Sequence, residues 1–237
     1  MSPKAALARD ASPQISERVY SNLGNTPLVD LLESPCQRVL DIGCGAGDNA
    51  ALIKLKNPKC EIFGITSSSA EAVLARAHMA RCWVSDIECG LPGGLESYSF
   101  DTMVFSHVLE HLRDPASVLA RFSRLLCSGG QVLIAVPNVL SWRMRLQFMS
   151  GNFQYQSSGV LDDTHLHFYT YVTAEAHLLP GSLDLDVAQK TVSGNVPLWL
   201  LRRYIISSGL RKRIDSWGCH HWPNLFGEQV LIRAVKR

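Results

Sequence analysis

Apolar and polar positions follow two rhythms along this chain, and the rhythms alternate. Short apolar runs with strand character cover residues 38–42, 61–65, 82–84, 100–106 and 131–136, the last almost wholly apolar as a central strand should be. Between them lie segments with helical spacing at 48–56, 69–79 and 115–126, and a turn at Ser128-Gly129-Gly130 precedes the 131–136 run. This alternation predicts an α/β domain whose parallel sheet is covered by helices on both sides. Upstream, residues 15–32 carry apolar side chains at helical spacing interrupted at Gly24-Asn25-Thr26-Pro27, which predicts two short helices. Downstream, residues 138–171 form a longer excursion, followed by a helix near 173–179 and strands at 183–190 and 229–235. Loops at the carboxyl ends of parallel strands carry the site in open α/β folds, so substrate specificity is expected after Val136.

Composition narrows this picture. The 237 residues and 46% hydrophobic content suffice for one substantial core. A net charge of +2 does not by itself imply a nucleic-acid groove. The seven cysteines (Cys36, Cys44, Cys60, Cys82, Cys89, Cys127 and Cys219) are scattered and lack C-x-x-C spacing, so neither a disulfide framework nor a zinc site is expected, and a reducing cytoplasm fits. No apolar stretch has the length of a signal-peptide core or a membrane span.

The candidate chemistry begins at Val39-Leu40-Asp41-Ile42-Gly43-Cys44-Gly45-Ala46-Gly47-Asp48, a buried strand entering a glycine-rich turn and then a helix. Glycines let the backbone take positive φ and approach a ligand closely, while Asp41 can fix the turn or receive a ligand's ammonium. A dinucleotide fingerprint requires G-x-G-x-x-G, whereas here the third glycine comes one residue early, at Gly47. No phosphate-cradling G-K-[ST] follows. The motif resembles that of the class I S-adenosylmethionine-dependent methyltransferases. That resemblance implies a Rossmann-like fold with a seven-stranded, mostly parallel sheet and helices on both faces. It also implies one methyltransferase domain: an N-terminal helical lid at 1–37, a cofactor-binding core at 38–137 and a substrate-specificity half with C-terminal strands at 138–237.

The implied cofactor is S-adenosylmethionine, held by Asp41, Gly43, Cys44, Gly45 and Gly47. Family members end the second strand in an acidic residue for the ribose hydroxyls; here Thr66, followed by Ser67, stands at that position. A neutral bond in place of a charged one costs roughly tenfold in affinity, and Thr66 with its serines also suits a helix N-cap. Asp86 and Ile87 match the adenine-binding positions, and Ser106, His107 and Val108 match the turn that lines the methionine and adenosine portions. Tyr20 and Asn25 are placed over the methionine end, the ring favouring a sulfonium cation.

On the acceptor side, Val136-Pro137-Asn138, Trp142-Arg143 and Asp162-Asp163-Thr164-His165-Leu166-His167-Phe168-Tyr169-Thr170 resemble a subset of class I enzymes. That subset includes small-molecule and sugar O-methyltransferases and methionine-biosynthesis proteins of the methyltransferase type. His165 is the candidate base for an acceptor hydroxyl; a brace of Asp162, Thr164 and His165 holding the loop is the alternative. Glu110 and His111 lack H-E-x-x-H spacing, so they are expected to be structural and no metal is expected. The stretch 197–222 gathers Trp199, Trp217 and Trp222 with Arg202, Arg203, Arg211, Lys212 and Arg213, suggesting an amphipathic lid, a membrane-surface contact or an anionic-substrate site, the alternative being a solvated basic face beside core tryptophans. The leading expectation is methyl transfer to a small-molecule or sugar hydroxyl, the alternative a non-catalytic partner that activates another biosynthetic enzyme. Nucleic acid as substrate is disfavoured by the missing [DN]-P-P-[YFW] signature, and oligomeric state is left open.

Overall fold

The computed structural model describes residues 23–33, 36–197 and 207–237. Seven strands form one sheet: β1 (Arg38–Ile42), β2 (Glu61–Thr66), β3 (Arg81–Val84), β4 (Phe100–Ser106), β5 (Leu126–Pro137), β6 (Leu185–Gly194) and β7 (Gly227–Lys236). Their order is β3-β2-β1-β4-β5-β7-β6; β1 to β5 run parallel, and β7 is antiparallel to both of its neighbours. The strand order reverses between β1 and β4, which makes the gap outside their carboxyl ends the natural ligand crevice.

Alternation along each strand sorts its side chains between two cores. Val39 points to the face covered by α1 (Thr26–Val29), α2 (Asp48–Lys56) and α3 (Ser69–Ala75). Leu40 and Ile42 point to the opposite face, covered by α4 (Pro115–Ser123) and α6 (Thr173–Leu178). Five of the cysteines are buried and none is bridged; Cys44 and Cys82 lie with their sulfurs 3.7 Å apart, behaving as small core residues.

Several elements differ from the sequence expectation: α4 stops at Ser123 rather than 126, β6 spans Leu185–Gly194 rather than 183–190, and three further differences have a clear cause. Strand β5 begins at Leu126, because Leu126 pairs with Phe100 before the register jumps to Gln131 and Thr102. The Ser128-Gly129-Gly130 turn is therefore a bulge inside the strand, with Gly129 at φ +73°. Helix α3 stops at Ala75, short of residue 79, and Met79 packs back over Gly64. The 138–171 excursion contains a helix, α5 (Trp142–Met149). Its sequence alternates apolar and polar residues at period two, which masks helical spacing. Two further helices, α7 (Ser208–His221) and α8 (Pro223–Phe226), precede β7.

Candidate active site

Period-two alternation carries Asp41 to the same side of β1 as Val39, where it is 0% exposed and neither carboxylate oxygen has a hydrogen-bond partner. Burial, reinforced by the charge of Asp48, pushes its pKa up to about 7. The turn beyond it is pinned by Gly43 and Cys44, whose N–H groups both donate to the Ile65 carbonyl (2.8 and 2.9 Å). Gly43, at φ +74°, admits no side chain, because a Cβ there would come within 2.2 Å of Val108 Cγ2. Gly45 is different: at φ +53° it faces open space, the nearest atom to a Cβ being Glu71 Oε1 at 3.9 Å. A buried, unpaired carboxylate beside an open glycine cradle is suited to a ligand that brings its own positive charge.

Thr66 ends β2 buried, and its hydroxyl donates to Glu71 Oε2 (2.7 Å). Glu71, only 4% exposed, sits in the first turn of α3, where its N–H is capped by Ser68 Oγ (3.3 Å). The acidic side chain absent from the end of β2 is thus present one helical turn later, at the edge of the Gly45 cradle. The sequence signal was available: Ser68-Ser69-Ala70-Glu71 is a capping-box pattern. A capping-box glutamate ordinarily turns back to the N-cap N–H, whereas this one accepts from Thr66. Ser67 is exposed. Asp86 accepts from the Glu88 N–H (2.9 Å) and the Cys89 thiol (3.4 Å), and Ile87 joins the core on the α4 side.

At the end of β4, Ser106 Oγ accepts from Asn25 Nδ2 (3.4 Å), so Asn25 spans from the start of α1 to the mouth of the crevice. Tyr20 lies outside the described residues. His107 is the one non-glycine residue with positive φ (+55°) among the described residues. Its Nδ1 lies 3.3 Å from Glu110 Oε1, while its Nε2 meets Gln229 Oε1 at 2.9 Å. Burial works against the imidazolium of His107, but the contacts with Glu110 and Gln229 outweigh it and raise the pKa. Val108 packs against the core and blocks Gly43.

Glu110 itself is 0% exposed, and its carboxylate oxygens make no hydrogen bond. Its backbone carbonyl accepts from the N–H groups of Leu166 and His167 (2.8 and 3.1 Å), which draws the 162–169 loop over it. His165 thereby arrives with Nε2 4.0 Å from Glu110 Oε1, its side chain 5% exposed and its Nδ1 3.0 Å from the Val160 carbonyl. The rings of His111 and His165 meet edge to face at 4.6 Å between centroids. Burial lowers the pKa of His111. The expected brace is present in altered form. Asp162 accepts from both the N–H (2.9 Å) and the hydroxyl (2.6 Å) of Thr164, and the side chain that joins them is His111, through Nδ1 at 2.9 Å. Glu110, His111 and His165, 54 positions apart between the last two, offer ligand atoms within 4.8 Å of one another.

Of the basic aromatic stretch, Trp199, Arg202 and Arg203 lie outside the described residues. Trp217 is 54% exposed on α7 and packs edge to face against Trp222, ring centroids 5.0 Å apart. No helix among the described residues is long and apolar enough to cross a membrane.

A family profile described as a methyltransferase domain matches residues 7–175. An uncharacterized 37.1 kDa protein of transposon TN4556 from Streptomyces fradiae is 34% identical over 117 residues, 47% of this chain and 33% of that protein. The chain therefore spans about a third of that relative's length. A ubiquinone biosynthesis O-methyltransferase of Paracidovorax citrulli is 30% identical over 176 residues, 72% of this chain and 71% of the relative. Among solved structures, a SAM-dependent methyltransferase from Archaeoglobus fulgidus superposes with a TM-score of 0.55 at 22% identity, covering 85% of this chain and 87% of the other.

Proposed function

The chain belongs to the methyltransferase domain family, as a class I S-adenosylmethionine-dependent member, and from that premise we propose that it methylates a small-molecule or sugar hydroxyl. The observation that carries this reading is the adjacency of two sites at the ends of neighbouring strands. The Asp41 carboxylate and Gly45 cradle follow β1, and the Glu110 cluster follows β4, with Ile42 and Phe105 paired between them.

The residues fit the cofactor. Asp41 is oriented to receive its ammonium group, which would supply the cation that this buried carboxylate lacks. Gly45 keeps the turn open to close approach, while Gly43 lets it pack against Val108. We assign Glu71, aligned by Thr66, the role of the diol acceptor that the family places on β2, and Asp86, Ile87, Ser106 and Val108 the adenosine side. When bound, the cofactor supplies an electrophilic sulfonium methyl; the protein's part is to hold an oxygen nucleophile in line with it and dispose of the hydroxyl proton. We assign that second task to the cluster around His165, whose Nδ1–H is spent on Val160 so that Nε2 carries the lone pair. An apolar acceptor suits the exposed Leu146, Met149, Phe153 and Tyr155 on and after α5. A non-catalytic partner needs no acid at the ribose position, so the presence of Glu71 beside Thr66 weakens that alternative.

Calorimetric titration with S-adenosylhomocysteine tests the cofactor half. Micromolar binding, abolished in Gly45→Arg, is the expected result, followed by methyl transfer in a panel of hydroxylated acceptors. No heat at millimolar ligand would sink the enzyme reading.

A further inference from the structure

We propose that Glu110, His111 and His165 form a binding site for a divalent transition-metal ion of the Zn2+ class. The proposal rests on the assignment above of this cluster to the acceptor side, and it states how the cluster acts. Three observations carry it. The ligand atoms of the three side chains lie within 4.8 Å of one another. The Glu110 carboxylate is fully buried and neither oxygen meets hydrogen-bond geometry, its nearest nitrogen being His107 Nδ1 at 3.3 Å. The imidazoles of His111 and His165 each meet a protein acceptor through Nδ1, which leaves Nε2 available.

The tautomers follow from the hydrogen bonds. The Thr164 hydroxyl gives its proton to Asp162 Oδ1 at 2.6 Å, so it accepts from His111 Nδ1–H at 2.9 Å. His165 Nδ1–H donates to the Val160 carbonyl at 3.0 Å. In its neutral form each ring therefore keeps Nε2 as a lone pair. His165 Nε2 faces Glu110 at 4.0 Å, too long for a hydrogen bond. His107 is the imidazole that serves Glu110 as a basic neighbour; the neutral His165 turns a lone pair toward the same carboxylate, an arrangement that a cation between them would stabilise. Anchoring the outer nitrogen on a carbonyl or on a hydroxyl–carboxylate relay is the usual second layer around a metal-bound histidine. Two nitrogens and one carboxylate oxygen make the donor set of catalytic zinc sites that keep an open position.

Donors about 2.0–2.1 Å from a tetrahedral ion stand roughly 3.4 Å apart, so the side chains need draw in by at most about 1.4 Å from a spacing within 4.8 Å. The open position would be the place for the acceptor hydroxyl, whose pKa an ion lowers so that its proton is released to solvent water. His165 then serves the hydroxyl through the ion rather than as a free base. His107, its Nδ1 3.3 Å from Glu110 and its side chain 42% exposed, stands on the solvent side.

The test uses the full chain stripped with a chelator, in a His220→Ala/His221→Ala background that removes the neighbouring imidazoles of α7. Zn2+ is titrated by calorimetry and Co2+ by visible absorption. The expected result is one ion per chain at micromolar Kd or tighter, with Co2+ ligand-field bands, and at least tenfold weaker binding in Glu110→Gln and in His165→Asn. Thr164→Val, an exposed position that disturbs no core, is expected to weaken the ion about 10–100-fold through the outer layer, and it serves if a ligand variant fails to fold by circular dichroism. Absence of heat and of Co2+ bands, or ion binding unchanged in all three variants, overturns the proposal. S-adenosylhomocysteine titrated in chelator separates the two readings. Cofactor binding without any Zn2+ binding removes the ion site alone, and Zn2+ binding without cofactor binding leaves the ion site standing and removes the methyl-transfer reading.

Discussion

Asp41 and Glu110 are both fully buried carboxylates without a hydrogen bond, at the ends of adjoining strands, yet their surroundings are opposite. The charge acting on Asp41 is that of another acid, Asp48, so its pKa is held up near 7. Glu110 has His107 at 3.3 Å and His165 at 4.0 Å, with His111 beside them. The difference separates two ways of tolerating a buried charge. The first carboxylate depends on a cation delivered with a ligand, whereas the second carries basic partners in its own chain.

The largest effect that would break this comparison belongs to Asp41→Asn. Removing one partner of a buried ion pair costs about 3–5 kcal/mol, so S-adenosylhomocysteine binding should weaken more than a hundredfold by calorimetry. The ligand-free protein should meanwhile become more stable at pH 8 in urea unfolding, because the variant no longer buries an uncompensated charge. Glu110→Gln should have the opposite sign, lowering ligand-free stability by about 1–3 kcal/mol as His107, its Nδ1 3.3 Å away, loses its charged partner. If both variants move stability in the same direction, the contrast fails.

Acid titration of the wild type sharpens the same point. A folded-state pKa near 7 lies above the unfolded value of about 4. Between these values the native state holds a proton that the unfolded chain has released, so the Asp41 contribution to stability is greatest below about pH 4 and declines as pH rises to 7. A ligand ammonium prefers the ionised carboxylate. Affinity should therefore rise by up to tenfold per unit of pH below about 7 and level off above it. A flat affinity profile over this range would mean that Asp41 does not receive the ligand's charge.

A smaller effect concerns the turn that separates the two carboxylates. Gly43→Ala combines φ +74° with a Cβ 2.2 Å from Val108 Cγ2, and such strain costs of order 1–3 kcal/mol in thermal unfolding. The smallest effects lie in the cradle wall. Glu71→Gln exchanges a charged for a neutral acceptor and should weaken S-adenosylhomocysteine about tenfold, with Thr66→Val costing less because it only frees the glutamate to move. Equal affinities in wild type and Glu71→Gln would remove Glu71 from the diol site.

How much of this was legible beforehand depended on range. The strands β1 and β4 and the helix α2 have the boundaries that apolar runs and turn residues suggested, since each is specified by side chains within one segment. Helix α5 was hidden by its period-two pattern, and the β5 bulge by a glycine turn that does not end its strand. Thr66 marked a departure from the family, and the compensating acid five residues on became evident only when α3 turned it back toward the strand.

The sequence by itself determined the sheet, the glycine turn and the presence of Asp41 beneath it, because hydrophobic period and backbone freedom are local properties. It also contained every member of the Glu110 cluster, but at spacings that matched no metal or catalytic motif. Tertiary structure alone brought His165 across 54 positions to His111, through two N–H groups of the 162–169 loop bonded to the Glu110 carbonyl. It also chose which nitrogen of each ring faces inward, because tautomers are decided by the hydrogen-bond partners that folding supplies, and those partners, Val160 and Thr164, have no signature in the order of residues.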